Sequence, residues 1–383
     1  MAGYEGELEQ IVAQLNRAAP GSRPQRAEVV GATASLDPLL NAAARRGASD
    51  LLLIAGAPVT LRIGGVLTPS SAQPLTGEDT RNLLLGLLNQ RQQEELERNR
   101  SIDFCFSREG AGRLRANLHY QRGTLAASIR LLPARIPTLE SLELPAGLAK
   151  LAERRQGLVL VTGPSGSGKS STLAAFVDLI NRTRQDHVVT IEDPVEFVHG
   201  NRGCIIEQIE IGQDAADFAS SLRGILRQTP DVIVVGEMRD PATMAAALTA
   251  AETGHLVFTT LHTNDTSQAV LRILDTFPAG SQQQVRQQLS LALAAVIAQQ
   301  LLPGQDGRRH PVLEIMIGTA GIRSLIRKGE DHQLYSQIST GRAEGMMTME
   351  QSLAEAARQG RITRETAQAH CFRPEELKRY LGG

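Results

Sequence analysis

Four short apolar runs dominate the middle of the chain. Residues 158–161 (LVLV), 188–191 (VVTI), 232–235 (VIVV) and 256–261 (LVFTTL) contain no charged side chain. Strands buried on both faces read this way, and their alternation with helix-period segments such as 171–180 predicts a parallel sheet covered by helices. The upstream pattern differs. Residues 50–54 and 59–63 flank Gly56-Ala57-Pro58, a hairpin signal. Residues 102–106, 113–120 and 125–131 read as further strands, and 36–46, 76–88 and 89–99 as helices, which gives a first α+β domain. Pro133, Pro137 and Pro145 punctuate a connecting segment. Residues 289–302 are apolar apart from Ser290, Gln299 and Gln300, and are expected to form a buried helix. Shorter helices follow at 322–327, 348–358 and 364–369.

The expected organisation is therefore a mobile N-terminal extension (1–34) with one short amphipathic stretch (8–15), an α+β domain (35–133), a linker (134–147), an α/β core (148–303) and a C-terminal strand and helical region (304–383). A length of 383 residues exceeds what one core usually serves.

Composition narrows the function classes. The formal net charge of −1 argues against a dominant nucleic-acid surface. No apolar run approaches the roughly 18 residues of a membrane span. The opening MAGYEGELEQ is acidic rather than basic-then-apolar, so no secretory signal is expected. Cys105, Cys204 and Cys371 are far apart and form no CxxC pair, which suggests neither a zinc ribbon nor a disulfide framework. A cytosolic protein is expected.

The segment Gly163-Pro164-Ser165-Gly166-Ser167-Gly168-Lys169-Ser170, followed by Ser171, matches the nucleotide-binding pattern GxxxxGK[ST]. It sits between a predicted strand and a predicted helix, the context this motif requires. Glycines let backbone N–H groups converge on phosphate, and the following helix adds its positive end. Lys169 is expected to meet the β- and γ-phosphates of ATP, and Ser170 to hold Mg²⁺. The chain has only four lysines among its 40 basic residues. One occupies this loop, where a compact ammonium fits and a planar guanidinium does not.

Other strand ends carry chemistry of the same kind. Glu237 closes the run DVIVVGE; an acid there can bind Mg²⁺ or act as the base that orients the attacking water. Glu192 comes directly off the run VVTI and is a second candidate acid and Mg²⁺ ligand, ahead of Asp193 and Glu196. His255 and His262 bracket the fourth run; seven residues apart on a strand, they need not share a site. Thr259, Thr260 and Thr263 could sense the γ-phosphate through hydrogen bonds.

Taken together, GPSGSGKSST, TIEDPVEFVH, LRQTPDVIVVGEMRD and TAAETGHLVFTTLHTND resemble the Walker A, Asp box, Walker B and His box of the secretion and type IV pilus ATPases. GASDLLLIAGAPVTLRIGGVL and GRLRANLHYQRGTLAASIRLLP resemble parts of that family's PAS-like N-terminal domain. AGIRSLIRKGEDHQLYSQISTGRAEGMMTMEQSLAEAARQGRIT resembles the C-terminal segment of its PilT-type retraction motors. The resemblance covers residues 36–369.

It implies an α/β chain with a PAS-like α+β domain, a RecA-like P-loop ATPase domain and a small helical C-terminal region. It also implies a homo-hexamer at the cytoplasmic face of the inner membrane, at the pilus base, hydrolysing ATP with Mg²⁺ to drive pilus retraction (twitching motility). Expected partners are an integral-membrane platform protein and a second retraction ATPase. By position, Lys169 and Ser170 bind phosphate and Mg²⁺, Glu192 is the Asp-box acid, Glu237 the Walker B glutamate, and His255 and His262 the His-box pair. Arg239 falls in the matching GEMRD run. Arg115 and Arg130, ahead of Arg113, are candidates for arginines that complete the site by offsetting charge in phosphoryl transfer.

The chain departs from the family in three places. Leucine stands where GASDLLL usually carries histidine. Residues 1–34 have no counterpart in the compact PilT start. Gln228-Thr229 replaces a common Glu-Asp, which blurs retraction against assembly or accessory subtypes. A rival of another class is a RecA-like nucleic-acid translocase. Eight phenylalanines, four tyrosines and no tryptophan offer few stacking platforms for it.

Overall fold

The computed structural model describes residues 35–133 and 135–382. The chain divides into two compact units between Ala134 and Arg135. The amphipathic stretch read at residues 8–15 lies outside the described residues.

The first unit is a six-stranded antiparallel sheet in the order β3-β2-β1-β6-β5-β4. Its strands are β1 (Asp50–Leu53), β2 (Pro58–Ile63), β3 (Val66–Pro74), β4 (Ser101–Arg108), β5 (Gly112–Gln121) and β6 (Thr124–Leu131). Alternation decides the faces: β5 buries Leu114, Ala116 and Leu118 in the core and leaves Arg113, Arg115 and Asn117 on the opposite side. The helices Gly77–Leu85 and Gln90–Asn99 start where the sequence supplies capping boxes, Thr76 with Asp79 and Asn89 with Gln92. Strand β3 escapes the sequence pattern because it carries Pro69 and Pro74 and exposes Val66 and Leu67. It occupies a sheet edge, where proline is tolerated.

The second unit is a seven-stranded sheet in the order β13-β12-β7-β11-β10-β8-β9. It comprises β7 (Gly157–Thr162), β8 (His187–Glu192), β9 (Ile205–Glu210), β10 (Val232–Val235), β11 (Leu256–Leu261), β12 (Leu293–Pro303) and β13 (Arg309–Ile317). All neighbours pair in parallel except the β12–β13 hairpin. Both faces are covered. Leu158 and Leu160 of β7 join one core with Ala269, Leu289 and Ile322. Val159 and Val161 join another with Phe176 and Ile180 of the helix Lys169–Thr183. Phe176 is fully buried, its ring centroid 5.1 Å from that of Phe258 on β11. Burying such a side chain is worth ~2–3 kcal/mol, and the ring pair adds ~1 kcal/mol. Residues 135–147, punctuated by proline, are packed: Leu139 and Leu144 enter the second core.

One element differs from the sequence reading. Residues 289–302 are not a single helix. The helix Ala279–Ala292 ends there and β12 begins at Leu293, running beside β7. Both forms are buried on all sides here, so hydrophobic period could not separate them.

Candidate functional site

Thr162 is the last residue of β7, and the chain then curls through residues 163–168 into the helix Lys169–Thr183. Two glycines are forced by close approach. Gly163 has φ +146°, and a Cβ there would stand 2.2 Å from the Gln299 backbone oxygen. Gly168 has φ +88°, and a Cβ would meet Gln299 Nε2 at 2.9 Å. Pro164, Ser165 and Gly166 face solvent, as does Ser170 in the first helical turn, while Ser171 is half-buried. The Ser167 hydroxyl is buried and has no hydrogen-bond partner. Lys169 is 8% exposed, and its Nζ donates to the carbonyls of Gly163 (2.8 Å) and Pro164 (3.0 Å). Burial pushes the ammonium pKa below its ordinary value, against the pull of the Glu237 and Glu196 carboxylates.

Gln299 was missed by motif reading. It lies on β12, is 3% exposed, and fastens the loop to the helix. Its Nε2 donates to Ser167 O at 2.6 Å, and its Oε1 accepts from the Thr172 hydroxyl at 2.8 Å. The available signal was a pair of amides inside an otherwise apolar run; a buried amide needs partners.

The neighbouring strands end beside this loop, at the carboxyl edge of the sheet where α/β folds place ligands. Glu192 ends β8. Its Oε1 accepts from the Thr190 hydroxyl (2.7 Å) and from Gln208 Nε2 (3.1 Å), and burial pushes its carboxyl up. Glu237 follows β10 and is flanked by a guanidinium and an imidazole. Arg239 Nη2 lies 2.7 Å from Oε1, and His262 Nε2 lies 3.4 Å from Oε2. Thr260 fixes the backbone between them: its hydroxyl donates to Gly236 O at 2.6 Å, and its carbonyl accepts from Met238 N–H at 3.2 Å. The ensemble is one buried ammonium under a glycine-rich loop, with two carboxylates and an imidazole at adjacent strand ends. Anion capture and activation of a water are within its chemistry.

Residues 129–370 match the family model of the type II/IV secretion system proteins. The chain is 42% identical to the type IV pilus retraction ATPase PilT of Pseudomonas aeruginosa, over 88% of this chain and 98% of that one. It is 41% identical to the type IV pilus ATPase PilU of the same organism, over 89% of each. The chain belongs to the PilT/PilU-type ATPases. Its fold agrees: a crystal structure of the pilus retraction motor PilT with bound ADP superposes with a TM-score of 0.85 at 45% identity, covering 90% of this chain and 99% of that one.

Not every expected residue joins the loop in this PilT/PilU-type ATPase. His255 precedes β11, at the opposite end of the strand from His262. Seven residues of extended chain separate the two by about 23 Å. The His255 Nδ1 pairs with the Ala250 carbonyl at 3.0 Å. Strand length separates the two histidines within the second unit, as their spacing of seven residues on a strand allows. Thr260 is engaged by Gly236, and Thr263 by Thr162, while the Thr259 hydroxyl is buried without a partner. In the first unit Arg115 on β5 stands directly opposite Arg130 on β6. Arg130 Nε is 3.0 Å from Asp50 Oδ1.

Proposed function

We propose that this chain is a motor ATPase that hydrolyses ATP to drive type IV pilus retraction. The observation that carries the proposal is the convergence of Lys169, Glu192, Glu237 and His262 on one carboxyl edge, in a chain 42% identical to a named retraction ATPase over nearly its whole length. In this reading the α/β second unit is a RecA-like P-loop domain, with a core over 148–303 and a C-terminal strand and helical region over 304–383. The first unit is PAS-like.

The loop 163–168 and the start of the helix Lys169–Thr183 cradle the phosphates, and Lys169 leaves the Gly163 and Pro164 carbonyls to meet them. Glu237 takes the role of base, orienting the attacking water, with Arg239 and His262 fixing its carboxylate. Glu192, held by Thr190 and Gln208, presents a second carboxylate. The residues fit Mg²⁺: an exposed Ser170 hydroxyl and the strand-end carboxylates of Glu237 and Glu192 are hard oxygen donors, and Mg²⁺ bound with a nucleotide needs only one or two protein ligands. When bound it would neutralise charge on the β- and γ-phosphates. Arg115 and Arg130 would complete the site from a neighbouring subunit of a homo-hexamer at the cytoplasmic face of the inner membrane, acting on a platform protein. Among the described residues no helix is long and apolar enough to cross a membrane.

Near-equal identity to PilT and PilU favours keeping a second reading, an accessory subunit that assists a second retraction ATPase. Deleting the gene separates the roles. Piliated but non-twitching cells support retraction, whereas loss of pili points to assembly. Purified protein with little ATPase activity of its own, raised by a partner motor, supports the accessory role.

A further inference from the structure

The segment that directly follows His262 is pinned at Thr263 and at Thr266 by residues that no catalytic role accounts for. In front, Thr162 is fully buried at the end of β7. Its Oγ1 accepts the Thr263 N–H at 2.9 Å and lies 2.7 Å from both the carbonyl oxygen and the hydroxyl of Thr263. One proton and two lone pairs are thereby all engaged. Behind, the N–H and hydroxyl of Thr266 both donate to Glu314 Oε1 on β13, at 2.9 Å and 2.7 Å. Glu314 is 2% exposed, and its other oxygen is buried without a partner. Both pins stand at one level of the sheet, because Ala298 of β12 is in register with Thr162 on one side and Glu314 on the other. Half-exposed His262, 3.4 Å from Glu237, immediately precedes the first pinned residue, Thr263.

We propose that Thr162 is a positioning residue for His262, acting through Thr263, with Glu314 as the rear anchor of the same segment. The proposal rests on the reading of His262 as part of the catalytic site. Thr162 immediately precedes Gly163, so the phosphate loop and the segment beside Glu237 share one hydroxyl. A ring displaced by a fraction of an ångström loses its alignment with Glu237, while the loop that grips nucleotide keeps its own contacts to Gln299. Turnover, not affinity, is the quantity at risk.

The test is a double-mutant cycle on the full chain, read by steady-state ATPase kinetics, fluorescent ADP binding and thermal melting. Thr162→Val preserves shape and removes the hydroxyl. It is expected to lower kcat about tenfold with ADP affinity within about twofold. Thr162→Ser, which restores the hydroxyl, should recover most of that loss. In a His262→Ala background, Thr162→Val should cost nothing further. Additive losses in that background, a fall in ADP affinity parallel to kcat, or wild-type kcat in Thr162→Val would overturn the proposal. Wild-type turnover in His262→Ala alone would instead remove the site reading on which it rests, whatever the Thr162 variants do. Should Thr162→Val fail to fold, Thr266→Val loosens the rear pin while keeping its N–H bond. Its loss should likewise vanish in the His262→Ala background, and additivity there would overturn the proposal.

Discussion

Replacing Gln299 with leucine asks how much of the nucleotide site depends on a strand that carries no motif. Leucine approximates the volume of glutamine, so packing is preserved and only the two hydrogen bonds are lost. The Thr172 hydroxyl can turn to the Gly168 carbonyl one helical turn before it, a bond helical threonines often make. The Ser167 carbonyl has no such alternative while the loop stays in place, and an unsatisfied buried acceptor costs ~1–3 kcal/mol. About 2 kcal/mol must therefore appear somewhere. If the loop shifts to rehydrate the carbonyl, ADP affinity falls by up to about 30-fold. If it stays, the melting temperature of the second unit falls by about 4–8 °C. A mixture shares one energy between the two readouts, so titration of fluorescent ADP and a thermal melt on the same preparation bracket it. Gln299→Glu should be worse, because a carboxylate would face the Ser167 carbonyl with no proton to donate. Wild-type affinity together with a wild-type melting temperature in Gln299→Leu would refute the claim that β12 holds the loop.

Two further outcomes follow from individual side chains. Lys169→Arg should abolish turnover and weaken fluorescent nucleotide binding more than tenfold, because a buried ammonium seated between two carbonyls leaves no room for a guanidinium; near-normal binding would contradict the packing. His310, 3% exposed, has Nδ1 2.9 Å from Glu143 Oε2 and Nε2 3.1 Å from Asp306 Oδ1, and Arg361 also reaches Glu143. The Glu143 bond raises the imidazole pKa against the opposing effect of burial, with help from Asp306. The group therefore contributes stability below its unfolded pKa of about 6.5, and that contribution is lost as pH rises through the raised folded value. The melting temperature should fall as pH rises through that window, and His310→Gln should flatten the fall; an unchanged profile would show that the His310–Glu143–Asp306 cluster contributes nothing.

Much of the fold was legible because the decisive strands are extreme cases. Val232–Val235 is apolar throughout and Leu256–Leu261 is free of charge and buried at every position, and each opens or closes on a residue with chemistry, so both the strand and its functional end could be read. The helices read from residues 76 and 89 begin at capping boxes, Thr76 with Asp79 and Asn89 with Gln92, which are contacts within one helical turn. What failed was non-local. Residues 289–302 are buried in either conformation, so the choice of strand over helix was made by pairing with β7, which sequence does not display. Gln299 became meaningful only with that pairing. β9 was missed because an edge strand with the pattern IIEQIE carries half the apolar signal of a central one. The separation of His255 from His262 was legible, because alternation and rise along a seven-residue strand are local. Arg115 and Arg130 were chosen from matching strands, and register places them opposite one another on the solvent side of their sheet.

In the proposed function, turnover at Glu237 powers retraction. That dependence is tested most directly by placing Glu237→Gln at the native locus and measuring pilus retraction together with ATPase activity of the purified variant. ADP and ATP should still bind, kcat should fall by about 10²–10⁴, and cells should remain piliated without retracting. Normal retraction with kcat near wild type would contradict it.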